Sequence, residues 1–204
     1  MEQLALMVAL RQVLSTSMTI PIEEICNQTQ IITCLKSLIS WLNENSSTEG
    51  GGATAADFES GKFYLEQEVG WITVSLTLGS NSVVHAILYD RFDTDAQEPS
   101  QIVLTFLHRS LTSPWPASVT NALYFTANAM SESTNARELL FNQLDLFNNF
   151  HKVMFTEPVH MGIISQVMWN LQTLASNHML NSVIQHQGEQ LRSMFRAALT
   201  IENN

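Results

Sequence analysis

The segment that most constrains the fold of this chain is Trp71 to Leu78. There Ile72, Val74, Leu76 and Leu78 alternate with Trp71, Thr73, Ser75 and Thr77. A period of two, with one apolar and one hydroxyl-rich face, is the pattern of a half-buried strand. Gly79-Ser80-Asn81-Ser82 supplies a turn, and Val83 to Tyr89 reads as the return strand of a hairpin. A polar stretch from Asp90 to Ser100 closes at Pro99, Ile102 to Leu107 makes a further strand, and Lys62 to Glu66 precedes them. The expectation is an α+β fold built on a short antiparallel β-meander of three to four strands, with one face packed and one face wet.

The flanks read as helices. Pro21 sits at a first helical turn with Glu23 and Glu24 near the positive helix end. Ile25, Ile32, Leu35, Ile39 and Leu42 then recur on one face, so residues 1–45 form an N-terminal helical pair. Pro114-Trp115-Pro116 turns the chain into a C-terminal helical block. Asn135 with Glu138 resembles a capping box opening a helix through Phe150. Met161, Ile164, Met168, Leu171 and Leu174 form one stripe, which Leu180, Ile184, Leu191, Met194 and Phe195 continue. The Ser/Gly-rich segment from Ser46 to Gly61 is expected to be a flexible loop within a single domain spanning 1–204.

Charge narrows the function classes. Charged residues are 14% of the chain, against an ordinary share of about 25%. There are 19 acids and 9 bases, for a net charge of -10. Nucleic acid binding needs cations that displace counterions, and no basic run exists to do it. An anionic membrane surface repels such a chain, whereas a basic protein segment is attracted. No apolar stretch is long enough to span a bilayer. The run Leu4 to Leu10 is preceded by Glu2 rather than by bases, so it reads as an amphipathic helix and not a signal peptide. A cytoplasmic protein is the expectation. Cys26 and Cys34 would lie about 12 Å apart on one helix, beyond disulfide reach, so free thiols are expected.

No catalytic kit is complete. GxGxxG, Walker, HExxH, GxSxG and CxxC patterns are all missing, so no cofactor or metal is expected. No two of the six histidines have the close helical spacing of a zinc site. His85, Asp90 and His108 would converge only if the strands carrying them pair in the right register, and acid–base chemistry needs such a cluster. A thiolate dyad of Cys26 or Cys34 with a distant histidine is a weaker candidate. The methionine and aromatic content says more. Most of it must be core, yet Met161, Met168, Trp169, Met194 and Phe195 make an adaptable apolar set suited to holding a partner helix. Glu23, Glu24, Asp93, Asp95 and Glu98 are the acids that would steer a basic segment toward it.

A small acidic chain with a short meander between helices and no catalytic kit resembles the acidic bacterial secretion chaperones and adaptors. These include accessory subunits of type IV coupling complexes and type III chaperone-like proteins. The resemblance lies in the layout and rests on no motif. It implies an adaptor that binds a helical or partly unfolded segment of another protein without ATP. Two other classes stand beside it. One is a structural or assembly subunit, suited to the Asn/Gln-rich, lysine-poor surface. The other is an enzyme of unfamiliar type using His85, Asp90 and His108.

Overall fold

The computed structural model describes residues 2–15, 21–45, 61–90, 98–156, 158, 160–176 and 180–202. The described residues form eleven helices: α1 (Glu2–Ser15), α2 (Ile22–Gln28), α3 (Ile31–Asn45), α4 (Lys62–Leu76), α5 (Asn81–Leu88), α6 (Gln101–Leu111), α7 (Pro116–Glu132), α8 (Thr134–Gln143), α9 (Leu146–Met154), α10 (Met161–Ser176) and α11 (Leu180–Glu202). The expected meander is absent, and the fold is all-α rather than α+β. The three segments read as its main strands are α4, α5 and α6. Among the described residues, the one trace of extended pairing is an isolated antiparallel bridge between Tyr89 and Pro99. There the Asp90 amide donates to the Glu98 carbonyl at 2.9 Å and the Ser100 amide to the Leu88 carbonyl at 2.8 Å.

Burial explains why α4 imitates a strand. Its C-terminal half is enclosed on every side but that of Trp71: Val69, Gly70, Ile72, Thr73, Val74, Ser75 and Leu76 are all buried. A helical stretch with so little of its surface in water need not show a clear 3.6-residue period, so a chance alternation goes uncorrected. The hydroxyls of the supposed wet face are satisfied inside the helix. Thr73 Oγ1 donates to the Val69 carbonyl at 2.7 Å, Ser75 Oγ to Trp71 at 2.9 Å and Thr77 Oγ1 to Val74 at 2.6 Å. Back-bonding of this kind lets short hydroxyl side chains sit in a helix without water.

The core is organised around α7, which packs against α4, α6, α8 and α10, while α1 lies along α4 and α3 spans α4 and α6. Pro116 opens α7 at its first turn, where its missing N–H costs nothing. Gly70 lets α4 approach α7 closely: a Cβ there would sit 2.9 Å from Asn121 Nδ2. The α7–α10 contact carries a buried polar link. Thr126 Oγ1 donates to Asn170 Oδ1 at 2.9 Å, and Asn170 Nδ2 donates to the carbonyls of Leu123 at 3.0 Å and Gln166 at 2.8 Å.

Several helix ends differ from the sequence reading. The helix expected from Asn135 to Phe150 is two. Ser133 caps α8 by accepting from the Ala136 amide at 3.3 Å, and Asp145, in the left-handed region at φ 44°, divides α8 from α9. The expected N-terminal pair is three helices, because Thr29 ends α2 by turning its hydroxyl back to the Ile25 carbonyl at 2.7 Å. Cys26 and Cys34 therefore lie on different helices, and both are free thiols. Of the expected flexible loop at 46–61, only Gly61 lies among the described residues.

Candidate functional site

Two faces of α10 are apolar. One buries Ile163, Ile164, Val167, Leu171 and Leu174 in the core. The other places Met161, Ser165, Met168, Gln172 and Ala175 at alternating four- and three-residue steps, a seam open to a further helix. From the far side comes α11. Its Leu191 and Met194 turn inward to the core, and Phe195, one turn beyond Leu191, stands at the rim. Between α10 and α11 runs a groove of about 420 Å³, lined by Ser165, Met168, Trp169, Gln172, Ala175 and Phe195 among others.

Of the five residues expected to hold a partner, the structure brings Met168, Trp169 and Phe195 together in this groove. Met161, at the start of the same seam, is 52% exposed. Met194 is fully buried and belongs to the core. Sequence reasoning missed two members of the surface. Trp169 packs edge-on against Tyr124, and Tyr124 lies tilted against Trp71, with ring centroids 6.1 Å apart in each pair. The row crosses α4, α7 and α10. Its ends, Trp71 and Trp169, are 39% and 38% exposed. Nothing in the sequence joins these three residues, and the strand reading had set Trp71 among the hydroxyls. Exposed large aromatics in a row beside an open groove are unusual on a surface with no partner.

The acids are elsewhere. Glu23 and Glu24 edge a second groove, of about 670 Å³, whose lining includes Ile22, Leu78 and Gly79. Glu23 accepts from Ser82 Oγ at 2.9 Å and Glu24 from Gln28 Nε2 at 2.9 Å. Leu78, expected inside a sheet, is 69% exposed at this groove. Glu98 is exposed beside the Tyr89–Pro99 bridge, and Asp93 and Asp95 lie outside the described residues. Next to the aromatic groove the charges are positive: Arg192 and Arg196 flank Phe195 on α11.

His85 and Asp90, two members of the supposed acid–base cluster, have separate partners. No group of three or more His, Cys, Asp or Glu side chains comes together among the described residues in a way that would hold a metal. His85 Nε2 shares a hydrogen bond of 2.8 Å with Ser133 Oγ, at the cap of α8. Burial pushes its imidazole below the ordinary value. Asp90 takes a 2.8 Å ion pair from Lys36, whose ammonium also donates to the Tyr89 carbonyl at 2.7 Å. Burial alone would raise the Asp90 carboxyl. The Lys36 ammonium, assisted by the nearby Ser100 hydroxyl, outweighs it and holds the group low. His108 is exposed on α6. Burial first and Glu23 second push the Cys26 thiol up, which disfavours the thiolate a nucleophile needs.

No protein-family model, no curated protein and no solved structure matches the chain. No helix among the described residues is long and apolar enough to cross a membrane.

Proposed function

We propose that this chain is a non-catalytic adaptor or chaperone that holds an apolar helical or extended segment of a partner protein in the groove between α10 and α11. The observation that carries the reading is the row Trp71–Tyr124–Trp169, with both tryptophans exposed and its Trp169 end in that groove. Aromatic residues half out of water contribute most where a partner completes their burial. Met168 adds an adaptable contact at the floor. The net charge of -10 draws in a segment with basic flanks at long range. A secretion setting stays part of the proposal. The likeness that suggested it has lost its meander, and the acidity and the apolar groove are what still speak for it.

The test is co-purification from native cells of wild type beside the Met168→Ser/Trp169→Ala double variant. Wild type should retain a stoichiometric partner that the variant loses, with an unchanged helical circular dichroism spectrum. Removing a tryptophan anchor costs about 2 kcal/mol, or roughly thirtyfold in affinity. A partner held equally well by the variant, or none held by wild type, overturns the reading.

A further inference from the structure

Beyond the groove, α11 carries an outward stripe that reads the same from both ends. Ile184, Gly188, Phe195 and Leu199 are spaced by four, seven and four residues. Beyond the bend at Gln187, Gly188, Phe195 and Leu199 fall at 100° per residue on one side of the helix, next to the buried Leu191 and Met194. Ile184, Phe195 and Leu199 are 53%, 39% and 60% exposed. A stripe with this symmetry is complementary to itself. Two antiparallel copies of the straight part, with a two-fold axis passing between positions 191 and 192, place Gly188 opposite Phe195 of the second copy. A Cβ at Gly188 would meet nothing within 4 Å, so the ring has open space to enter. The helix bends at Gln187, where φ is -134° and ψ 27°. Gly188, Phe195 and Leu199 lie together beyond that bend.

The charges obey the same symmetry. Glu189, Arg192 and Arg196 run along the outer flank of the stripe, and a two-fold axis brings like flanks together. In the register just described, Glu189 of each copy falls level with position 194 of the other, midway between Arg192 and Arg196. At 1.5 Å rise per residue it stands about 3 Å along the axis from each. Among the described residues Glu189 pairs with Arg192, and Arg196 makes no ion pair. A second copy would give Arg196 a carboxylate on each side of the axis.

We propose that this chain forms an isologous homodimer through the antiparallel pairing of α11, with Phe195 set against Gly188 of the second copy and Glu189 bridging its Arg192 and Arg196. Closed two-fold dimers are the commonest soluble assembly, and a self-complementary patch is what they require. Phe195 also edges the aromatic groove, so the dimer and a segment held there share that ring, while Met168 and Trp169 belong to the groove and not to the dimer.

Charge reversal tests it without touching the core. Wild type should sediment as a monomer of 22.9 kDa when dilute and at twice that mass when concentrated. Glu189→Arg alone and Arg192→Glu/Arg196→Glu alone should each stay monomeric, with unchanged helical spectra. Mixing the two variants should restore the doubled mass, because one copy now carries only bases on the flank and the other only acids. A wild type that stays at 22.9 kDa when concentrated overturns the proposal. So does a dimer that either variant leaves intact, or a mixture that stays monomeric. Loss of partner capture in the Trp169 variant with the dimer intact would concern the groove alone.

Discussion

Asn170 has no exposed surface and makes three hydrogen bonds across and along the α7–α10 contact. Asn170→Ala should therefore lower stability by about 1–3 kcal/mol in urea unfolding, through lost hydrogen bonds and the space left behind. Gly70 and Gly162 make a matched pair. At Gly70 a Cβ would meet Asn121 Nδ2 at 2.9 Å and its Cβ at 3.3 Å, and at Gly162 it would meet nothing within 4 Å. Gly70→Ala should cost about 1–3 kcal/mol, whereas Gly162→Ala should add about 0.5 kcal/mol by helix propensity. His85 has a definite pH signature. Its folded value is depressed by burial, so the unfolded chain binds the proton more readily. Its contribution is undiminished above the ordinary histidine value near about 6.5 and is lost as pH falls through that value toward the folded one. Urea midpoints should fall over that window in wild type and fall less in His85→Gln.

Among the elements, α4 separates the two readings of the chain. A meander would put Thr73 in water and Leu78 in the core. The helix does the reverse, with Thr73 at 1% exposed and Leu78 at 69%. Thr73→Asp should cost at least about 3 kcal/mol, since it buries a charge without a partner. Leu78→Ser should cost under about 0.5 kcal/mol. Equal effects, or the opposite order, would restore the strand. The helices around it were legible to different degrees. The α3 stripe of Leu35, Ile39 and Leu42 was read correctly because one face meets the core and the other meets water. The period of α6, with Val103, Phe106, Leu107 and Ser110 buried, lay in the sequence too. It was masked because a short β-branched run fits a strand equally well.

At the scale of the molecule, protection from hydrogen exchange should follow enclosure. Packed on by α4, α6, α8 and α10, α7 should hold the slowest amides, near the global stability. With no buried residue, α2 should exchange fastest of the helices at residues 22–45. Equal protection in α2 and α7 would contradict the layering. The site divides along the same line. The methionine and aromatic content of the last two helices pointed, from the sequence alone, to Met161, Met168, Trp169, Met194 and Phe195 as candidates, and the packing of α10 against α11 is what brings Met168, Trp169 and Phe195 to one groove. The sequence by itself determined the acidity, the missing catalytic motifs and the helical character of both ends. Only the tertiary structure decided that the middle is helical, that Met194 is core, and that Trp71 and Tyr124 join Trp169. Periodicity records contact with water, so a segment that meets water at little more than Trp71 leaves almost no record of its own period. Residues on separate helices meet only through packing, which no local pattern encodes.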